Sequence, residues 1–196
     1  MMVEDVAKQE RMPFIQVIQE NEAKGELKTI YDDLVQSRGK IAEVHKIQSL
    51  NPISIVNHMD LYMTIMFGKS PLRRVQREMI AVVVSKANNC DYCQTHHAAA
   101  VNHYWKDDEK VVQLKQDYTQ LELSAQDKML CDYAWELTKN PGAQTEATFV
   151  NPLQELGLAD RAILDATLVI AYFNFVNRIV LGLGVNLEED SGGYKY

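Results

Sequence analysis

Residues 77–97 read REMIAVVVSKANNCDYCQTHH, and this stretch decides how the chain folds. Its first half is an apolar run that follows Glu78, and its second half begins at two cysteines. The pair Asn88-Asn89 interrupts the helical pattern, because asparagine favours helix ends over helix interiors. The stretch therefore predicts two helices joined by a tight break. The first begins at Ser70-Pro71 and ends near residue 88, and the second covers about 90–105.

The second of these helices carries a thiol motif, Cys90-x-x-Cys93, with His97 four residues further on. Positions 90, 93 and 97 share one face of a helix. If an asparagine of the break caps this helix, both sulfurs lie in its first turn, where free N–H groups and the helix dipole favour thiolate. A thiolate attacks peroxides or disulfides, and a second cysteine one turn away can close the product as a disulfide. The motif thus predicts a redox couple.

Glu78 is placed near this couple by simple geometry. It precedes Asn89 by eleven residues, roughly 16 Å along a helix, and His97 follows Asn89 by eight residues, roughly 12 Å back along an antiparallel one. The two side chains then differ in level by about one helical turn, which a glutamate can bridge. We therefore expect a relay from Glu78 through His97 to Cys93, with the pKa of the buried Glu78 carboxyl raised.

The spacing Glu78, eleven residues, Cys90, two residues, Cys93, three residues, His97 resembles the alkylhydroperoxidase D-like branch of the carboxymuconolactone decarboxylase family. The flanking Arg-Glu-Met-Ile-Ala, the Tyr-Cys-x-x-His-His and the segment 172–178, YFNFVNR, are similar to the peroxidase-related subgroup of that family. The similarity covers about 25–185. Where well-known members have a histidine between the two cysteines, this chain has Tyr92.

The resemblance implies an all-α, oligomeric enzyme that needs no metal or other cofactor. In that scheme Cys93 attacks a hydroperoxide or disulfide substrate, Cys90 is the resolving thiol, and His97 with Glu78 forms the proton relay. An external dithiol or a protein reductant resets the couple. Tyr92 is the candidate for lining the thiol pocket.

The rest of the chain also has the helical period. It predicts about seven helices in a single domain, 1–196, and they cover about 22–37, 51–68, 70–88, 90–105, 124–140, 145–157 and 160–182. Within that domain we expect an N-terminal extension over about 1–20, a redox hairpin over 71–105 and a C-terminal helical half over 121–185. The polar stretch 106–120 could separate two degenerate repeats, in which Asp165 corresponds to Glu78.

Composition excludes several classes of function. The chain has 196 residues and a net charge of −7, so nucleic acid and anionic membranes are not expected partners. Three cysteines make no disulfide framework, and Cys131 is expected to be a packing residue. Residues 1–14 lack the pattern of a targeting segment, and the apolar run 166–173 is too short to span a bilayer, so a cytoplasmic protein is expected. The tail 188–193 is expected to be solvated.

Three alternatives stay open. Cys90, Cys93, His97 and Glu78 could hold a metal ion, although a structural zinc site would need a second Cys/His pair. The chain could be a thiol-independent decarboxylase, or a helical redox sensor without turnover. His96 points about 100° away from His97 on an ideal helix and is expected at the surface or an interface.

Overall fold

The computed structural model describes residues 13–188, which contain nine α-helices and no β-strand. The expected all-α fold is confirmed. The helices are α1 Gly25–Arg38, α2 Glu43–Lys46, α3 Pro52–Tyr62, α4 Arg74–Ala87, α5 Asp91–Trp105, α6 Asp108–Asp117, α7 Ala125–Lys139, α8 Asn151–Glu155 and α9 Asp160–Leu183. A π-helical turn, Met63–Phe67, prolongs α3, and another, Glu146–Val150, precedes α8.

The count exceeds the expected seven because α2 and α6 were not anticipated. Helix α2 has only four residues, too few for a periodic pattern to appear in the sequence. Helix α6 lies in the stretch 106–120, which we interpreted as a possible divider between two helical halves, and this stretch is helical rather than a polar linker. Its buried side chains Val111 and Leu114 pack against the core, and its first turn is capped by Asp107, whose carboxylate accepts from Lys110 N at 3.0 Å.

Helix α4 forms the centre of the molecule, where it packs against α5, α7 and α9. All of its residues from Gln76 to Ser85 are buried. It begins at Arg74, four residues later than expected. The Ser70 hydroxyl donates to Asp165 Oδ2 at 2.6 Å and accepts from Leu72 N at 3.1 Å, within the turn that precedes the helix. Gln76 satisfies the helix start instead, since its Oε1 accepts from Arg73 N at 2.9 Å.

The break between α4 and α5 is as tight as the sequence predicts. Asn89 adopts a left-handed conformation with φ 57°, which asparagine tolerates better than most residues. Neither asparagine caps α5, however, because the N-cap position belongs to Cys90. The Asn88 amide donates to Asn174 Oδ1 and Asn177 Oδ1, both at 3.0 Å, and so fastens the break to α9.

Helix α9 ends at Leu183, one residue beyond the predicted end. Its 24 residues include an 18-residue window with a mean hydropathy of 1.6, so by length and composition it could cross a membrane. The run 166–173, which we judged too short to span a bilayer, is only part of that window. Its side chains Val169, Ile170 and Phe173 are buried, and the helix packs against α4 and α7, as a core helix does. The cytoplasmic location stays a prediction.

A smaller apolar cluster joins α1 and α3, built on Leu27, Tyr31, Leu34 and Ile55. The chain before α1 runs along the protein body, with Phe14 N donating to Leu183 O at 2.9 Å. The expected N-terminal extension and the absence of a targeting segment fall mostly on residues 1–12, which lie outside the described residues. The single-domain organisation stays a prediction.

Helices α4 and α9 share one detail that the proposed repeat anticipates. In α4, Arg74 forms an ion pair with the buried Glu78 four residues further on. In α9, Arg161 forms an ion pair with Asp165 at the same spacing. The two carboxylates differ in their second partner, which for Asp165 is the hydroxyl of Ser70.

Candidate active site

The structure brings Glu78 and His97 together across the α4–α5 hairpin. Glu78 Oε2 lies 2.6 Å from His97 Nδ1. Because a carboxylate only accepts hydrogen bonds, Nδ1 carries the proton and the free Nε2 is the acceptor that a general base needs. His97 packs edge-on against Phe173, with ring centroids 4.5 Å apart, so the imidazole is held from both sides.

The other oxygen of Glu78 is held by Arg74, whose Nε donates to Oε1 at 2.7 Å. Arg74 is itself stacked on Phe67, 3.5 Å from the ring centroid. Burial alone would raise the pKa of Glu78, but His97 and Arg74 together bring it below its ordinary value. Our expectation of a raised pKa was therefore wrong, because it took account of burial and not of the hydrogen bonds that His97 and Arg74 donate to the carboxylate.

Cys90 and Cys93 are both buried free thiols at the start of α5. The Cys90 sulfur accepts a hydrogen bond from the Cys93 thiol and interacts with the backbone N–H groups of Cys93 and Tyr92. These contacts lower the pKa of Cys90 although burial opposes them. The same thiol–thiol hydrogen bond and burial raise the pKa of Cys93 well above its ordinary value. In the reduced pair, negative charge is therefore favoured on Cys90.

A cavity of about 80 Å³ opens in front of Cys93. Of the sequence-predicted residues, Tyr92, Cys93 and His97 line it, while Cys90 and Glu78 do not. Cys93 is therefore the cysteine of the pair that borders the cavity. The complete lining is Leu34, Arg38, Lys40, Ala42, Val44, His45, His58, Tyr62, Tyr92, Cys93, His96, His97, Tyr172, Phe173 and Val176.

Tyr92 takes part in the pocket wall through its ring, but its hydroxyl is engaged elsewhere. It donates to Glu188 Oε1 at 2.7 Å, and the ring stacks on His96 with centroids 4.5 Å apart. This arrangement leaves Tyr92 as a lining residue, and a role in substrate binding stays a prediction.

His96 and Glu188 correct two expectations from the sequence. His96 lines the same cavity as His97, and its Nε2 lies 3.0 Å from Glu188 Oε2. Glu188 also accepts from Glu43 N at 2.8 Å, so this end of the expected solvated tail is bound to the protein. Burial would raise the pKa of Glu188, but hydrogen bonds from His96, Glu43 N and Tyr92 lower it to about 2. The remainder of that tail, 189–193, lies outside the described residues.

His45, His58 and Tyr172 belong to the cavity and were not predicted as site residues. Burial lowers the pKa of His45 to about 3 and that of His58 to about 4, so both are neutral near pH 7. His58 Nε2 lies 2.7 Å from the Tyr172 hydroxyl. A lone histidine on a helix carries no local sequence signal for such a contact, which joins positions 114 apart in the chain.

Cys131 lies on α7 away from this cavity, is fully buried, and has its pKa raised by burial. Within residues 13–188, no group of three or more His, Cys, Asp or Glu side chains is arranged to hold a metal ion.

Comparisons with known proteins show which family and which folds the chain is similar to. Residues 57–114 match the family model of the carboxymuconolactone decarboxylase family. A peroxidase-related protein from Silicibacter sp. TM1040 is similar in structure, with 27% identity over 95% of this chain and 97% of that chain and a TM-score of 0.83.

Two further solved structures share the fold. The alkylhydroperoxidase core of a peroxidase-related protein from Ralstonia eutropha JMP134 has 21% identity, covers 92% of this chain and 95% of its own, and gives a TM-score of 0.82. The debrominase Bmp8 has 18% identity, covers 89% and 92%, and gives a TM-score of 0.73. None of the curated proteins matches the chain significantly. By its matched segment and its shared fold, the chain is similar to the carboxymuconolactone decarboxylase family and to alkylhydroperoxidase D-like, peroxidase-related proteins.

Proposed function

We propose that the chain is a thiol-dependent peroxidase that reduces small hydroperoxides through Cys93 and Cys90. The observation that carries the proposal is the 2.6 Å contact between Glu78 and His97. This contact leaves Nε2 of His97 free to accept a proton. His97 lies one turn after Cys93 on the same face of α5, and both residues line the cavity. The relatedness to peroxidase-related proteins supports the same reaction class.

The first step takes place at Cys93. His97 Nε2 accepts the thiol proton, and the thiolate attacks the terminal oxygen of the hydroperoxide. An S–O bond forms as the O–O bond breaks, so Cys93 is oxidised to sulfenic acid. The leaving alkoxide takes the proton from His97 and departs as an alcohol. Glu78, ionised through its contacts with His97 and Arg74, stabilises the imidazolium that exists between these events.

In the second step Cys90 reacts as a thiolate, which the backbone N–H groups of Cys93 and Tyr92 favour. Its thiolate attacks the Cys93 sulfur, an S–S bond forms, and the hydroxide that leaves is released as water with the proton that Cys90 gave up. An external dithiol or a protein reductant then reduces the disulfide and is itself oxidised. The net reaction converts one hydroperoxide and one dithiol into an alcohol, water and one disulfide.

The size of the cavity favours small substrates. Its volume of about 80 Å³ is below the roughly 150 Å³ of an engineered apolar cavity that binds benzene. Hydrogen peroxide and short alkyl hydroperoxides are the substrates that this volume favours.

The decisive experiment measures peroxide consumption with dithiothreitol as the reductant in the wild type, Cys93→Ser, His97→Phe and Cys131→Ser. We expect Cys93→Ser to be inactive, His97→Phe to be strongly impaired, and Cys131→Ser to match the wild type. Equal rates in all four proteins would refute the proposal. A disulfide that forms with peroxide while turnover stays at background would favour the redox-sensor alternative. Activity on a lactone that survives replacement of both site cysteines would favour the decarboxylase alternative.

A further inference from the structure

A hydrogen-bond chain outside the thiol relay runs from Gln48 through His58 to Tyr172. The Gln48 amide nitrogen lies 2.8 Å from His58 Nδ1, and His58 Nε2 lies 2.7 Å from the Tyr172 hydroxyl oxygen. The chain connects the segment after α2 to α3 and then to α9, and its last two members line the cavity in front of Cys93.

The direction of this chain is fixed by the chemistry of Gln48. Its amide nitrogen also donates to Val44 O at 2.8 Å, and its amide oxygen accepts from Ser54 Oγ at 3.3 Å. The nitrogen, which can only donate, therefore faces His58 Nδ1. Nδ1 accepts, so the single proton of the neutral His58 ring is on Nε2 and is donated to the Tyr172 oxygen.

Tyr172 thus uses an oxygen lone pair for His58 and keeps its own proton to donate. Among the described residues, His58 is the hydrogen-bond partner recorded for this hydroxyl. The Tyr172 side chain is buried, stacks edge-on against Phe173 with centroids 5.1 Å apart, and lines the cavity together with Cys93. Burial, Tyr62 and Cys93 raise the pKa of Tyr172, so the hydroxyl stays protonated.

We propose that Tyr172 is a further catalytic residue, whose hydroxyl donates a hydrogen bond to the oxygen that leaves when the Cys93 thiolate breaks the O–O bond. His58 acts through it as a positioning residue. The inference rests on the proposed peroxidase function and deepens it. As the S–O bond forms, negative charge develops on the leaving oxygen, and Tyr172 stabilises it until His97 delivers the proton. Tyr172 ends the step with its own proton, so the balance of the reaction is unchanged.

This role makes Tyr172 important only when the leaving oxygen is a poor leaving group. Ethyl hydroperoxide and peracetic acid are similar in size, but the first releases an ethoxide and the second an acetate that leaves without assistance. A purely structural role of Tyr172 would affect both oxidants equally.

The test compares Tyr172→Phe with Tyr133→Phe as a matched control. Tyr133 is also buried, and its hydroxyl contacts Thr167 Oγ1 at 2.9 Å, while the residue is not part of the cavity lining. In each protein, stopped-flow measurements give the rate of oxidation of Cys93 by ethyl hydroperoxide and by peracetic acid, and iodoacetamide alkylation reports the reactivity of the thiolate itself.

For Tyr172→Phe we expect a loss of about 100-fold with ethyl hydroperoxide, the lower end of what one hydrogen-bond donor to a developing oxyanion supplies, and rates near those of the wild type with peracetic acid and iodoacetamide. His58→Leu should show the same split with a smaller loss, and Tyr133→Phe should show none. Equal losses with both oxidants, or no loss with either, would overturn the assignment of Tyr172. A wild-type Cys93 that reacts with neither oxidant would instead refute the proposed function, and this inference with it.

Discussion

Replacing Glu78 with glutamine tests the proton relay at the point where the structure constrains it most. Glu78 accepts two hydrogen bonds, one on each oxygen: from Arg74 Nε at 2.7 Å and from His97 Nδ1 at 2.6 Å. An amide offers one acceptor and one donor, so it can satisfy only one of these partners. The Arg74 guanidinium can only donate hydrogen bonds, so the amide oxygen of the new glutamine faces Arg74.

The amide nitrogen then faces His97 and forces a change of tautomer. His97 Nδ1 must become the acceptor, the ring proton moves to Nε2, and Nε2 can no longer take the proton of Cys93. The corresponding carboxylate-to-amide change in a Ser-His-Asp triad reverses the tautomer and lowers kcat about 10⁴-fold. We expect Glu78→Gln to slow oxidation of Cys93 by peroxide roughly 10³- to 10⁴-fold.

Asp165→Asn is the matched control for this variant. Asp165 is also buried, accepts from Arg161 Nε at 2.8 Å, and follows its arginine by four residues, but it does not contact His97. It should keep the wild-type rate within about 3-fold, because its hydrogen bonds with Arg161 and Ser70 are separate from the relay and their loss affects stability rather than the reacting groups. If Asp165→Asn loses as much activity as Glu78→Gln, the loss reflects the helical core, and the relay argument fails.

A second substitution separates the tautomer from the charge. In the double variant Arg74→Leu/Glu78→Gln, the amide oxygen is released and can accept from His97 Nδ1, which restores the productive tautomer. The remaining defect is then the lost charge of a charge-assisted hydrogen bond, worth about 1.5–3 kcal/mol, or roughly 10- to 150-fold in rate. The double variant should therefore be faster than Glu78→Gln alone. A double variant as slow as the single one, or a Glu78→Gln rate within about 3-fold of the wild type, would contradict the mechanism.

Three further predictions concern the thiols, the C-terminal segment and the surface of α9. After one equivalent of peroxide, dimedone should label Cys93 in Cys90→Ser and find no sulfenic acid in Cys93→Ser; the reverse pattern would assign the attack to Cys90. The pKa of Glu188 lies near 2 in the folded protein, so its contacts stabilise the fold above the ordinary pKa of 4.5 and lose this effect as the pH falls towards 2. The difference in unfolding free energy between wild type and Glu188→Gln should therefore shrink from pH 7 to pH 2, and a constant difference in denaturant titrations would be inconsistent. The exposed α9 residue Leu168 shares an apolar stripe with Leu164 and Phe175, so we expect Leu168→Glu to reduce the oligomer size in light scattering, and an unchanged mass would exclude this stripe as the interface.

The relay could be predicted from the sequence because it depends on local structure. Two helices joined by a short break are antiparallel, and counting residues from Asn89 places Glu78 and His97 at nearly the same level. The same counting could not give the pKa of Glu78, because Arg74 changes it through a contact that the sequence shows only as an i,i+4 spacing.

The contacts that Tyr172 and Glu188 make around the cavity could not be predicted, because they join residues far apart in the sequence. Tyr172 and His58 are 114 positions apart, and Glu188 reaches Tyr92 over 96. No periodicity links such pairs. Neither residue carries a local signal, because Tyr172 lies within the apolar run 166–173 and His58 is a lone histidine on α3. Only the packing of α9 against the hairpin brings them to the thiols.

The segment that matches the family model contains the predictable part of the site and omits much of the cavity lining. The segment 57–114 contains all four residues of the thiol relay, together with the positioning residue His58. Much of the cavity lining lies outside it, including Arg38, His45 and Tyr172. Substitutions of lining residues outside 57–114 can reshape the cavity without disturbing the Glu78–His97 contact. These residues do not belong to the α4–α5 hairpin and contact it through side-chain packing. The fold can therefore retain a thiol and its base while it changes which electrophile reaches the sulfur. That freedom is consistent with the occurrence of both peroxidase-related proteins and a debrominase among the structures that share this fold.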